Sequence, residues 1–286
     1  MIEFSIVIPV LNGERFLSVQ LDALCAQVGA DCEVVISDNG STDGSLNLVR
    51  SYGNRLRIQI VDASLQPGQA HARNEGARAS QGNCILFLDQ DDEIGPGYLN
   101  AMKSALAIHK FVAARMDGIA LNQGWKQQAR TLPQTDGIPG GFRPWAYGCT
   151  LGIRRETFFE LGGFDESLPV RAGEDIDFCW RANAAGTTVV FVHDAILRYR
   201  YPLGARNFFR QGQTYGYSQV IVERRHGINK PRWREIVRSF AGPVWMVLRG
   251  PSRGMRVHGV FLVGRRVGTL RAAMTTLCPG RNKSLG

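Results

Sequence analysis

The stretch CILFLDQDDEIGPG, Cys84 to Gly97, drives an apolar run straight into Asp89, Asp91 and Asp92 and then stops at a Gly-Pro-Gly turn. A run this apolar reads as a strand buried on both faces. Three carboxylates at its end repel one another, so something must neutralise them. A divalent cation with oxygen ligands is one answer, and Mg²⁺ in particular is usually held by one or two carboxylates together with substrate phosphates. A solvated turn with Asp92 capping a following helix is the other.

The residues upstream repeat the design. FSIVIPV (Phe4–Val10), CEVVISD (Cys32–Asp38) and LRIQIVD (Leu56–Asp62) are short Val/Ile-rich runs. Segments 14–28, 41–52 and 69–80, spaced as helices, separate them, the second opening on a Ser-Thr-Asp cap. Strand–helix alternation with strands apolar along their whole length predicts a mostly parallel, Rossmann-like α/β sheet flanked by helices. Ligands on such sheets bind beyond the carboxyl ends of the strands. Polar residues gather at that edge: Pro9 to Asn12, Asp38-Asn39-Gly40, and Asp89 to Asp92.

Three further groups bear on chemistry. Arg73 and Asn74, in GQAHARNEGA, open or line a helix, where an arginine can grip a diphosphate with two parallel donors. Asp38 and Asn39 can meet a nucleobase edge, or serve as an Asx turn. Glu174, Asp175 and Asp177 begin a helix in GEDIDFCWRANAAG. The helix dipole stabilises acids there, and one of them can also act as a general base. Arg181, four residues after Asp177, is its expected partner.

Taken in order, SIVIPVLN, VVISDNGSTDGS, GQAHARNEGARASQGNCILFLDQDD, GCTLGIRRETFFELGGFDE and GEDIDFCWRANAAG closely resemble the family 2 glycosyltransferases, the inverting group with the GT-A fold. The match runs from residue 4 to about 190. It implies a nucleotide-diphospho-sugar donor whose base lies against Pro9, Asp38 and Asn39, with Arg73 near the phosphates or base. It implies an Asp-x-Asp at Asp89 and Asp91 that contacts the ribose and a divalent metal, Mg²⁺ or Mn²⁺, with Asp92 in support. It implies Asp175 as the catalytic base, with Glu174 as its neighbour near the acceptor. The expected reaction is hexosyl transfer to an acceptor hydroxyl with inversion, in cell-envelope polysaccharide or glycolipid synthesis. Many members add a histidine metal ligand after the next strand. In HDAILRYRYP, His193 falls early and Arg198 or Tyr199 takes the expected place.

Bulk properties narrow the field. The 286 residues are 44% apolar and 21% charged, as in an ordinary globular chain. Cysteines 25, 32, 84, 149, 179 and 278 form no C-x-x-C pair, so reduced thiols are expected rather than zinc or redox motifs. MIEFSIVIPV reads as a first strand and not a signal peptide, and no window is apolar enough for a transmembrane helix. The expected setting is cytoplasmic, peripheral on the inner membrane face.

The net charge of +9 is uneven: residues 200–286 hold 17 Lys/Arg against two acids, and residues 1–199 hold 17 against 23. We therefore expect a catalytic domain over 1–203 and a basic helical region over 204–286, with helices at 204–226, 232–249 and 254–275 and a break at Pro243. Residues 232–275 alternate apolar patches with arginine. They read equally as an anionic-membrane element beside a glycan or lipid-linked acceptor, or as a packed appendage with its arginines in water. A nucleic-acid partner is not expected, because the basic residues lack aromatic interleaving or a reading module. A sugar-nucleotide binder without catalysis is the remaining alternative. A nucleotidyltransferase would open its first strand into a Gly-rich loop, where only Gly13 stands. Residues 122–147, rich in Gly, Pro and Gln, read as a long surface loop over the site.

Overall fold

The computed structural model describes residues 2–141, 143–168, 172–228 and 233–275. Cys278 and residue 232, where one expected helix begins, lie outside them. Eight strands are present: β1 Phe4–Val10, β2 Cys32–Asp38, β3 Ile58–Asp62, β4 Cys84–Phe87, β5 Glu93–Ile94, β6 Phe111–Asp117, β7 Leu151–Arg154 and β8 Val190–Arg198. The helices are α1 Leu17–Cys25, α2 Ser45–Ser51, α3 Gln69–Ala79, α4 Tyr98–Ile108, α5 Arg155–Glu160, α6 Glu174–Ala184, α7 Gly204–Arg225, α8 Trp233–Arg238, α9 Ala241–Arg249 and α10 Arg253–Thr275. The described residues of Met1–Leu121, Leu132–Leu168 and Glu174–Arg200 form one compact unit. Those of Asn122–Thr131, Pro169–Gly173 and Tyr201–Gly286 form a second.

The sheet of the first unit runs β3-β2-β1-β4-β7-β6-β8-β5. Its first four strands are parallel, as expected from their unbroken apolar runs. β7 turns antiparallel to both β4 and β6, and β5 antiparallel to β8, so the sheet is mixed beyond β4. All seven residues of β2 are buried, Glu33 included. Its carboxylate accepts from the Ser5 hydroxyl and the Gln81 N–H, both at 2.6 Å, which offsets the burial. One face is filled by Phe87, Phe158, Phe164 and Phe178, whose neighbouring ring centroids lie 5.1–5.4 Å apart, with Phe111 edge-on to Phe178. Truncating one such ring costs on the order of 3–5 kcal/mol. The rim follows from register: Val10 stands opposite Asp38, and Asp38 opposite Asp62, so β1 to β3 end level.

Residues 122–147 differ from the surface loop expected. Ala129, Leu132, Gln134 and Ala146 are buried. The Gln134 amide donates to the Ala114 carbonyl at 2.7 Å and the Thr150 hydroxyl at 2.8 Å and accepts from the Tyr147 N–H. A glutamine can satisfy that much irregular backbone, which composition alone does not reveal. Asn122–Thr131 also belongs to the second unit, whose long C-terminal stretch begins at Tyr201 where residue 204 was expected.

That second unit is helical. α7 and α10 lie so close that a Cβ at Gly212 or Gly216 would strike the α10 backbone at Phe261 or Arg265. One at Gly264 or Gly268 would strike the α7 backbone at Phe209 or Gln213. Glycine at four-residue spacing on both helices is what permits this approach. The expected 232–249 helix is broken: α8 ends at Arg238 and α9 starts at Ala241. Pro243 has no N–H for the Ser239 carbonyl and its ring would clash with it, as its position predicts. Among the described residues no helix is long and apolar enough to cross a membrane, and Cys25, Cys32, Cys84, Cys149 and Cys179 are free thiols.

Candidate active site

The level ends of β1 and β2, and the residues that follow β4 beyond Phe87, carry the first group of residues. Beyond β1, Asn12 takes a left-handed turn (φ 51°), and its carboxamide oxygen accepts from the Thr42 N–H at 2.8 Å. The Ser41 and Ser45 hydroxyls accept from the Asn12 and Gly13 N–H groups. The Gln90 amide both donates to and accepts from Leu11 backbone, tying the β4 rim to β1. Pro9 is half-buried, and Asp38 is buried with its carboxylate accepting from the Ser41 N–H. Asn39 is spent: its amide donates to the Ala63 and Gln66 carbonyls and its oxygen accepts from the Gly68 N–H. The Asx-type reading holds for Asp38, whose carboxylate accepts from the nearby Ser41 N–H, and not for Asn39, whose side-chain partners are distant in sequence. In this structure the Asn39 side chain shapes residues 63–68.

Arg73 answers the question raised by the carboxylates. On α3, and only 2% exposed, it donates from Nη2 to Asp89 at 2.8 Å and from Nη1 to Glu174 at 2.7 Å. One planar fork thus joins the end of β4 to the start of α6, across 101 residues of sequence to Glu174. Burial alone would lower the guanidinium, but Asp89, Glu174 and Asp175 outweigh it and hold Arg73 above its ordinary value. Gly148 lies against this guanidinium so closely that a Cβ there would collide with it. With both terminal nitrogens engaged, Arg73 serves in this structure as an internal counter-ion.

Around this fork the acids differ. Asp89 also accepts from the Gln69 amide at 2.9 Å. Asp92 is 1% exposed; one oxygen accepts from the Arg200 N–H at 2.9 Å and the other has no hydrogen-bond partner. Burial and the charges of Asp91 and Asp89 push it up. Asp91 has its main-chain carbonyl held by Arg200 Nε at 2.8 Å, while its own backbone N–H faces its carboxylate. Burial and the Asp89 charge push that carboxyl up to about 6. Asp89, Asp92 and the buried Cys149 each offer a ligand atom, all within 4.8 Å of one another. Burial holds the Cys149 thiol well above its ordinary range.

α6 presents the remaining pair. Burial, with the charge of Asp175 added, pushes Glu174 up to about 7 against the pull of Arg73. Asp175 is only half-buried; its oxygens accept from the Gly148 N–H at 3.0 Å and the Ile176 N–H at 2.8 Å, and burial raises its carboxyl above the ordinary aspartate range. Asp177 is fully buried on Arg181 at 2.7 Å, as i,i+4 spacing anticipated. His193 is 68% exposed and faces Asp194, and Arg198 is paired with Glu93 at 2.6 Å, so neither joins the acids.

Sequence reasoning brought Asp89, Asp91, Glu174 and Asp175 to one rim. It did not find Cys149, Gly148, Gln69 or Arg200. The one available signal was the GCT preceding a strand that abuts β4.

Known proteins resemble this chain in sequence and in fold. The family model "Glycosyl transferase family 2" matches residues 5–164. A curated relative, validoxylamine A glucosyltransferase of Streptomyces hygroscopicus subsp. limoneus, is 33% identical over 221 residues, covering 64% of this chain and 48% of the relative. The chain spans about half the length of the first curated relatives it matches, at 48% and 51%. Among solved structures, the mannosyltransferase PcManGT from Pyrobaculum calidifontis in complex with GDP-Man and Mn²⁺ aligns with a TM-score of 0.64 at 16% identity, covering 98% of this chain and 88% of that one. S. aureus TarS 1–349 in complex with UDP-GlcNAc aligns with a TM-score of 0.58 at 18% identity, covering 99% and 93%. At these identities the structures show a shared GT-A fold.

Proposed function

The chain belongs to glycosyl transferase family 2, and on that premise we propose that it transfers a sugar from a nucleotide-diphospho-sugar to an acceptor hydroxyl with inversion. The acceptor would be a glycan or lipid-linked glycan of cell-envelope synthesis, met at an anionic membrane surface. The single observation that carries the reading is the Arg73 fork. It ties the rim carboxylate Asp89 to Glu174, the neighbour of Asp175, in one cluster.

The residues present fit a hard divalent cation. Asp91 offers a carboxylate that the Asp89 charge opposes, and the buried Asp92 has an oxygen with no hydrogen-bond partner. Asp89 and Asp91 would hold the ion, with Asp92 behind them. When bound, the ion neutralises charge on the departing diphosphate. Pro9 and Asp38 would flank the base, with Asn39 fixing the loop beside them.

The protein's own steps follow from the hydrogen bonds. The Gly148 and Ile176 N–H groups fix the Asp175 carboxylate while leaving it half-exposed, so it can take the proton from the acceptor hydroxyl. The acceptor oxygen then attacks the anomeric carbon opposite the nucleotide, and one displacement inverts that centre. Glu174, ion-paired and buried, positions Arg73 and Asp175 rather than meeting the substrate. The test is calorimetric titration of nucleotide sugars with and without Mn²⁺ or Mg²⁺, alongside donor hydrolysis. Asp91→Asn is expected to abolish donor turnover with the fold intact. Normal turnover in that variant rejects the assignment.

A further inference from the structure

The second unit carries an apolar face that packing within the unit does not cover. Among the described residues, twelve large apolar side chains are exposed, and four of them fall between Val237 and Leu248. On α9, Val244 (40% exposed), Trp245 (57%) and Leu248 (72%) share with Ala241 an arc of roughly 100°. The opposite side is the packed one: Pro243 is buried, and a Cβ at Gly259 of α10 would stand 2.9 Å from Met246 Cβ. An exposed tryptophan beside two aliphatic side chains is unfavourable in water, and such clusters mark interaction surfaces.

The charge around this face points to the occupant. Residues 233–275 carry eight arginines against a single glutamate, a net of +7. Arg249 follows Leu248 directly on α9, and Arg238 ends α8; both are exposed. Neither is ion-paired among the described residues. A protein partner buried on α9 would have to supply matching acids in one place. An anionic bilayer supplies them everywhere, takes an indole at headgroup depth and accepts aliphatic side chains below it.

We infer that α9 docks in the plane of an anionic lipid surface, with Val244, Trp245 and Leu248 inserted and Arg238 and Arg249 on the headgroups. This deepens the membrane-side acceptor proposed above and rests on it. It assigns the contact to α9 and the end of α8 rather than to the basic region as a whole.

The experiment is vesicle co-sedimentation of the full chain, using phosphatidylcholine alone and phosphatidylcholine with about one third phosphatidylglycerol. Nucleotide-sugar binding is measured in parallel without lipid. Binding is expected to the anionic vesicles and to fall with salt. Arg238→Gln and Arg249→Gln should each lower partitioning about fivefold, and Trp245→Ser with Leu248→Ser about tenfold or more. Ile108→Ser, which removes a 77%-exposed apolar side chain from the first unit, should change nothing. These α9 positions are exposed, so circular dichroism of the variants should match the parent. Three results overturn the inference: equal partitioning of parent and α9 variants, equal binding to uncharged vesicles, or a parent dimer that Trp245→Ser dissolves while vesicles are ignored. Vesicle binding lost with donor binding intact rejects the docking helix alone. Donor binding absent with vesicle binding intact rejects the transferase reading alone.

Discussion

In the sheet unit the decisive charges are inside: Arg73 is 2% exposed and Asp92 1%. In the helical unit the arginines of α8 and α9 face water, and glycines occupy the tightest contacts. A buried charge must have partners placed within hydrogen-bond distance, so the sheet unit is specified by ion geometry. Two helices whose backbones touch need only the absence of side chains, so the α7–α10 pair is specified by sterics. Substrate chemistry requires the first arrangement, because a preorganised carboxylate cluster stabilises developing charge that a solvated one cannot. Surface association requires the second, because charges that stay hydrated remain available to a lipid headgroup. The two units should therefore fail in different ways.

The largest failure expected is at the fork. Arg73→Met leaves the buried Glu174 and the half-buried Asp89 without their counter-ion and should cost on the order of 3–5 kcal/mol in chemical denaturation. Adding Glu174→Gln removes one of the stranded charges and should recover part of that loss. Full additivity of the two changes would mean that the fork is not a unit. Arg73→Lys should recover little, since an ammonium cannot bridge two carboxylates as a planar fork does.

Close behind in free energy is Asp175→Asn, which should lower turnover by about a thousandfold while nucleotide-sugar binding, read by calorimetry, stays near parental. Because burial raises the Asp175 carboxyl, the acidic limb of the parent's pH–rate profile should lie above the ordinary aspartate range. Below that limb the base is protonated and turnover falls. An acidic limb at the ordinary value would detach Asp175 from the proton transfer.

How much of this was legible depends on the range of the interaction. β1 to β4 could be read because each is apolar along its own length, and the break before α9 because Pro243 acts on a carbonyl four residues away. β6 was missed: FVAARMD dilutes its apolar residues with Ala113, Ala114, Arg115 and Asp117 and shows neither strand pattern cleanly. With β6 unseen, the antiparallel insertion of β7 had no partner to suggest it. α4 was foreseen only as a helix that Asp92 would cap; it begins after Gly97, with no side-chain cap. At the site, the acids were legible as local clusters at element ends. Their neutralisation was not, because Arg73 lies 16 residues from one partner and 101 from the other, and no spacing rule spans such distances. Asn39 shows the converse: a residue type suited to a ligand was consumed by backbone.

A smaller effect of opposite sign is expected at Asp91. Its carboxyl is pushed up to about 6 in the fold, above the ordinary value of 3.8. The folded state therefore binds the proton more tightly, and stability without metal or donor falls as pH rises from near 4 through 6. Asp91→Asn escapes that loss. With no ion present it should be more stable than the parent by up to about 3 kcal/mol above pH 6, and the advantage should vanish below about pH 4. Added Mn²⁺ should raise the parent's melting temperature and leave the variant's unmoved. A variant no more stable than the parent at pH 7.5 would mean that burial and the Asp89 charge do not oppose the ionised Asp91, and the sheet unit would lose its half of the contrast.

The helical unit is tested by two alanines. Gly216→Ala sets a methyl group against the Arg265 carbonyl of α10, and the helices must separate to admit it, at about 1–3 kcal/mol. Gly242, near the start of α9, has nothing within 4 Å of where a Cβ would stand. Gly242→Ala should therefore stabilise by at most about 1 kcal/mol, through helix propensity and a less flexible unfolded chain. Both substitutions add the same methyl group to a helix of the same unit, so propensity is common to them and the difference in their melting temperatures isolates the contact. If Gly216→Ala is as benign as Gly242→Ala, backbone proximity does not hold α7 to α10. The unit would then rest on apolar packing around Phe208 and Phe261, as the sheet unit rests on its phenylalanines.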